Sequence, residues 1–267
     1  MKSSNSWKTS RGLRNKLMSG KSLLTNLSSP AIFAKGLLLM SLVFLAGVGT
    51  SITAQDFSKS FKVLPDSGSL EIKTKMGSVT VVPAEGNTIQ ILARRAGNNI
   101  AASQPSPQGK VHVEVTSDAA VDLVINVPSS TSLEVFCVKC AGGVIVRGIR
   151  GAIKINNTDG DIQLTGIRSS QVEARSVSGN VSYNGEVQPS GSYYLKSFSG
   201  RVDAALPAGA KFKLDATSGR GGIELAPGDF QLTVHKQTSH LVQGLVGSAT
   251  ATVTLWTQDG SIRVRKK

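Results

Sequence analysis

The sequence predicts an all-β chain: a β-solenoid of Gly-cornered rungs about 20 residues long, preceded by a small β-sheet unit and an N-terminal apolar export or anchor segment. Three observations predict this. A Gly-centred motif returns at nearly even spacing. Apolar and polar residues alternate on both sides of each of these glycines. The first 54 residues carry basic charge and an uncharged apolar run, with no Asp or Glu. The expected divisions are a leader over 1–54, an N-terminal β unit over 55–128 and the repetitive coil over 129–267.

The motif glycines are Gly77, Gly142, Gly160, Gly179, Gly200, Gly219 and Gly260. From Gly142 onward the steps are 18, 19, 21, 19 and 41 residues. The last step is about double, which points to a degraded copy near Leu232–Gly247. Seven and five residues before each Gly, and two and four after it, stand 28 residues, of which 27 are apolar. Of the 28 positions interleaved with them, only 5 are apolar, so each half of the motif reads as a short strand with one buried face. The sites at −5 and +2 are an odd distance apart, so an unbroken strand would send them to opposite faces. The chain must therefore turn at the Gly, where positive φ is tolerated and a neighbouring Ser or Asp can bond nearby backbone. A second corner follows at Gly148, Gly166, Gly185 or the "LPAG" of 206–209. The competing architecture is an antiparallel sandwich with Gly turns.

Residues 57–128 are less regular. "FKVLP", "LEIKTKMGSVTVVP", "TIQILARRA", "KVHVEVTSD" and "VDLVINVPSS" read as strands, and 97–110 reads as an exposed loop. This unit is expected to abut the first rung.

The full chain has 267 residues and a formal charge of +13. Seven of its cations lie in 1–54, so the high charge belongs largely to the leader and does not indicate nucleic acid as a partner. Gly36–Ala54 is uncharged, and its most apolar part, Leu37–Val48, has the length of a signal-peptide core. Two readings stand: a signal cleaved after Ala54, or an uncleaved inner-membrane anchor over 36–54. Both place the body in the periplasm or cell envelope, touching membrane only through the N-terminal segment.

The rungs, written "[VI]-x-[AIL]-x-x-x-S/D-G-x-[VI]" and ending in "TVTLWTQDGSIRV", resemble the bacterial putative-adhesin family of unknown function. The resemblance covers 57–267 and is strongest from Leu133 onward. It implies a toast-rack-like, right-handed β-coil of the envelope with no enzymatic activity. It offers no catalytic residues to carry over.

Chemistry-bearing motifs are sparse. Cys137 and Cys140 form C-x-x-C on an expected strand; either Cys137 is a small buried hydrophobe with Cys140 beside the corner, or the two form a local disulfide, or a redox or metal pair. His112, His235 and His240 lack zinc spacing, and Asp159 and Asp161 do not recur rung by rung as calcium-binding rolls require. Outward acids do not stack in pairs as glycoside hydrolysis needs, and no G-x-S-x-G occurs. No cofactor or metal is expected.

Outward cations recur instead. Arg147, Arg168, Arg175, Lys196 and Arg201, with Arg150, Lys154, Lys213 and Arg220 nearby, suggest a face for an anionic partner. Interleaved acids leave an ordinary solvated surface as the competing reading. Phe136, Val138 and Ile145 break the polar-outside rule and are expected to cover the joint with the N-terminal unit or an oligomer contact. The functions that follow are a non-catalytic envelope binding or scaffold module contacting glycan, polymer or protein; an anchored regulatory or sensing ectodomain; and, last, a polysaccharide-acting enzyme. N-terminal sequencing of the mature protein separates the leader readings: cleavage puts Gln55 first, whereas Met1 or Met18 at the start marks an anchor.

Overall fold

A computed structural model describes residues 56–94, 99–105, 109–226, 228 and 230–267. The export or anchor segment, its cleavage site and the seven leader cations lie outside the described residues. All described elements are strands. The first six are β1 (Phe57–Lys62), β2 (Ser69–Ala84), β3 (Thr88–Arg94), β4 (Ile100–Ser103), β5 (Val111–Val115) and β6 (Val121–Pro128). Next come β7 (Ser132–Lys139), β8 (Val144–Arg147), β9 (Ile153–Asp159), β10 (Ile162–Ile167), β11 (Gln171–Ser178), β12 (Val181–Gly185), β13 (Ser192–Ser197) and β14 (Val202–Leu206). The last are β15 (Phe212–Ser218), β16 (Ile223–Leu225), β17 (Leu232–Gln237), β18 (Leu241–Val246), β19 (Ala251–Thr257) and β20 (Ile262–Lys266). Among the described residues no helix is long and apolar enough to cross a membrane.

Pairing resolves these strands into two sheets. Sheet A runs β1-β3-β6-β2-β8-β10-β12-β14-β20-β16. Sheet B runs β4-β5-β2-β7-β9-β11-β13-β19-β15-β18-β17. From β2 to the β15–β16 rung the pairing is parallel in both sheets, as a coil requires and an antiparallel sandwich does not. The 16-residue β2 belongs to both sheets and bends between them near Gly77. Residues 56–128 meet the first expected rung through backbone pairing, β2 lying against both β7 and β8.

The alternating apolar residues form the layer between the sheets. Of the 28 inward sites, all except Gly221 and Ile223 are buried. At roughly 1.5–3 kcal/mol for each fully buried Val, Leu or Ile, this column drives folding against backbone entropy. Tyr183 and Tyr193 are its largest members, with ring centroids 5.7 Å apart. Tyr193 Oη donates to Ser169 O at 2.9 Å and accepts from Gln188 N at 2.7 Å, so the buried hydroxyl is satisfied.

The corners close by near-contact between rungs. A Cβ built on Gly179 would lie 2.2 Å from Gly160 O. On Gly200 it would lie 2.0 Å from Gly179 O, on Gly260 2.0 Å from Gly200 O, and on Gly221 2.0 Å from Gly260 O. Gly200, Gly221 and Gly260 do not have positive φ, so the shared requirement at this column is space. Three residues earlier a small polar side chain turns inward and ties the corner. Ser197 Oγ donates to Gly179 O at 2.7 Å and accepts from Gly200 N at 2.7 Å. Thr257 repeats this with Gly200 O and Gly260 N, and Asn157 Nδ2 donates to Gly160 O at 2.8 Å.

The structure corrects several expectations. The corner of the β15–β16 rung is Gly221, because Leu214 pairs with Val253; Gly219 instead approaches Gln258. In the β7–β8 rung the corner is Cys140, since Leu133 pairs with Ile153 and a Cβ on Gly160 would lie 1.9 Å from Cys140 O; Gly142 follows two residues later and faces Ser78. Both errors are slips of two residues, which leave every side chain on its own face and so are invisible to alternation. Leu232–Gly247 is not a degraded rung: β17 and β18 form an antiparallel hairpin on the edge of sheet B. The expected loop at 97–110 contains β4, paired antiparallel to β5. The last rung, β19–β20, lies between the β13–β14 and β15–β16 rungs, so chain order and stacking order differ at the C-terminal end.

The Gly200→Ala variant is expected to lose about 1–3 kcal/mol, the overpacking scale, because backbone leaves no room for the methyl. Gly209→Ala, with nothing within 4 Å of its added Cβ, should fall within about 0.5 kcal/mol of the parent. Urea unfolding of the two variants measures the difference.

Candidate functional site

The outer face of sheet B carries a groove of about 850 Å³. Because side chains alternate, each strand contributes every second residue to this face. The central row, read in register, is Lys73, Phe136, Asn156, Arg175, Lys196 and Trp256, one from each of β2, β7, β9, β11, β13 and β19. Two residues further along their strands, Val138, Thr158, Val177 and Phe198 form the neighbouring row. Val138, Val177 and Phe198 are 53%, 51% and 46% exposed, an apolar strip on the solvent side of a β-sheet.

Aromatic rings position the cations. Lys196 Nζ lies 4.2 Å from the Trp256 ring centroid, Arg175 Cζ 5.0 Å from Tyr194, and Lys154 Nζ 5.8 Å from Phe136. Each is within cation–π range. Arg175 Nε also meets Glu173 Oε1 at 2.8 Å. Phe198 and Trp256 have ring centroids 6.4 Å apart and lie beside Lys196 at one end of the groove.

Along a third row, beyond Lys73, the acids are engaged by cations. Glu71 contacts Lys73 at 3.1 Å and His112 at 2.8 Å; Glu134 contacts Lys110 at 2.9 Å and Lys154 at 3.1 Å. The Lys73 hydrogen bond, helped by Lys110 and His112, holds the Glu71 carboxyl below its ordinary range. Lys110 and Lys154 do the same for Glu134, and Glu134 pushes the Lys110 ammonium up.

The expected anionic-partner face is not one surface. Arg175 and Lys196 are register neighbours on the groove. Arg147 ends β8 on sheet A, paired with Thr165. Arg168 follows β10, its N–H bonded to Ile149 O, and Arg201 lies past the corner beside Asp161 and Asp203. Each corner carries the chain to the other sheet, so cations before and after it point in different directions. Phe136 and Val138 line the groove next to β2, while Ile145 lies on sheet A, paired with Thr80.

Cys137 and Cys140 are joined by a disulfide with Cα atoms 5.9 Å apart. They occupy the −3 and corner positions, where neighbouring rungs use a side-chain hydrogen bond to tie the same two places. Asp161 Oδ1 accepts from Asn180 N at 2.8 Å, and Asn180 Oδ1 accepts from Arg201 N at 2.9 Å. These corner polar residues stitch successive rungs. His240 Nδ1 lies 2.8 Å from Gly221 O, at a corner. Sequence reasoning missed Phe198 in the groove lining and Tyr194 and Trp256 as the rings beneath the groove cations Arg175 and Lys196; their signal was the presence of aromatics at outward positions of late rungs.

Glu134 has a folded pKa below its ordinary value of 4.5, so its contribution is present above that pH and is lost as pH falls through the folded value. Lys110 is raised from 10.5, so its contribution is lost as pH rises through its folded value. Glu134→Gln is therefore expected to lower Tm at neutral pH, with the gap to the parent closing as the pH falls below the ordinary value of 4.5 and through the folded one. Thermal melts across pH check this.

No curated protein matches the chain. The family model described as Toastrack DUF4097 matches residues 148–265. Three solved structures overlap it: a putative cell adhesion protein from Clostridium sporogenes, 11% identical, TM-score 0.46, over 80% of this chain and 100% of that one; a putative adhesin from Bacteroides fragilis, 10% identical, TM-score 0.29, over 79% and 97%; and a putative adhesin from Parabacteroides distasonis, 8% identical, TM-score 0.23, over 79% and 97%. The segment similar to the Toastrack DUF4097 model, 148–265, contains the β9–β14 and β19–β20 rungs, whose glycines stack corner on corner.

Proposed function

We propose that the chain is a non-catalytic binding or scaffold module of the cell envelope, holding an extended partner along the groove of sheet B. The groove itself carries this reading. It lies on interior strands whose backbones are paired on both sides, and it exposes Val138, Val177 and Phe198 beside Arg175 and Lys196. Such a face offers area and fixed charge without a moving part.

Two further observations support the reading. Glu71, Glu134 and Glu173 each engage a cation, and Glu71 and Glu134 are held toward the ionised form, which suits them to organising lysines and arginine and not to donating protons. The disulfide accords with an oxidising compartment outside the cytoplasm, in line with the basic, apolar leader.

Immobilised full-length protein is expected to retain material from an envelope extract, and Arg175→Glu/Lys196→Glu to lose most of it. Arg147→Glu on sheet A should retain as much as the parent. Equal retention by the groove variant would remove the groove from the function.

A further inference from the structure

We propose that the groove is a site for an acidic polysaccharide, a linear chain of uronate units lying across the strands with carboxylates at Arg175 and Lys196. The inference rests on the binding-module reading and names its ligand class.

Arg175 and Lys196 stand side by side in register on β11 and β13. Adjacent strands are about 4.8 Å apart, and like charges directly opposite each other destabilise a sheet. An anion between them turns that repulsion into two charge-assisted contacts. Both cations are already laid on rings, Arg175 on Tyr194 and Lys196 on Trp256, so little side-chain freedom remains to be lost on binding. Glu173 engages Arg175, whereas among the described residues no carboxylate forms an ion pair with Lys196. Asn156 is the next residue in register and supplies an amide donor.

The apolar strip lies two residues along the same strands. A carboxylate held by Arg175 and Lys196 can set the rest of its unit over Val177 and Phe198, the exposed apolar residues next to them in the groove. A pyranose matches this division, with its acid on one edge and C–H groups on its face. The outward sites recur once per strand at about 4.8 Å, a step close to one sugar unit of an extended chain. Of the lining cations, Lys73, Lys75 and Arg175 pair with Glu71, Asp118 and Glu173, which leaves Lys196 as the lining cation with no ion pair among the described residues. A protein strand has no open edge to join, since β7, β9, β11 and β13 are each paired on both sides.

Affinity electrophoresis of the full chain tests the assignment, with polygalacturonate, its methyl ester or poly-L-glutamate cast in the gel. Polygalacturonate is expected to retard the parent. Lys196→Gln should weaken retardation about tenfold, the loss of one charge-assisted contact, and Arg175→Glu/Lys196→Glu should weaken it further. Phe198→Ala should weaken it and Arg147→Glu should not; circular dichroism of each variant confirms that it is folded. The proposal is overturned if polygalacturonate does not retard the parent, if the double variant is retarded equally, or if the methyl ester serves as well. It is also overturned if poly-L-glutamate is bound as tightly, which assigns the face to an acidic peptide, or if sedimentation finds a dimer that Phe198→Asp splits, which assigns it to a second copy. Failure here together with groove-dependent retention of envelope material leaves the binding-module reading standing; equal retention by the groove variant removes both.

Discussion

A carbonyl oxygen occupies the place where the next rung would need a Cβ. That constraint recurs from Gly160 through Gly179, Gly200, Gly260 and Gly221, and the coil depends on it. Sheets paired through backbone bonds stack at one fixed spacing, so a corner that cannot approach its neighbour would break the ladders on both sides. Inward Asn157, Ser176, Ser197, Thr257 and Ser218 bond the carbonyls that the tight corner turns away from strand pairing. Each buried acceptor left unmet would cost about 1–3 kcal/mol, so space and hydrogen bonding act together at these glycine corners. The β7–β8 rung reaches the same end covalently, with Cys137 and Cys140 in those two places.

The same corners explain how the rungs can stack out of chain order. A rung recognises its neighbour by backbone pairing and by a corner that fits, and neither depends on distance along the chain. The β19–β20 rung can thus lie between β13–β14 and β15–β16. The intervening residues leave the coil as the β17–β18 hairpin, which pairs with β15. The doubled interval between Gly219 and Gly260 records this excursion. Sheet B consequently ends in antiparallel strands, and β17, its outermost one, is exposed over most of its length.

The groove follows from alternation carried through many rungs. Once inward residues are committed to the core, the outward ones line up in rows at one strand spacing, and their identities can vary without disturbing the fold. Sheet B uses that freedom to set aromatics beside cations: Trp256 under Lys196, Tyr194 under Arg175, Phe136 under Lys154. A surface lysine is otherwise highly mobile, and resting on a ring narrows the directions in which its charge is presented. The acids of the face are drawn into the same order, since Glu134 joins Lys110 to Lys154.

The residues alone determined the all-β class, the period, the inward set and the presence of corners, because alternation and glycine spacing are local properties of the chain. The −3 ladder was also written there, as Thr74, Asn157, Ser176, Ser197, Ser218 and Thr257, but it reads as surface polarity until the turn is known to face inward. Only the tertiary structure decided which corner meets which. A slip of two residues keeps every face, so Gly221 and Cys140 could not be told from Gly219 and Gly142 by pattern. Stacking order and the split of Arg147, Arg168 and Arg201 from Arg175 and Lys196 were likewise undetermined, since both depend on where the chain bends in space and not on what lies next in sequence.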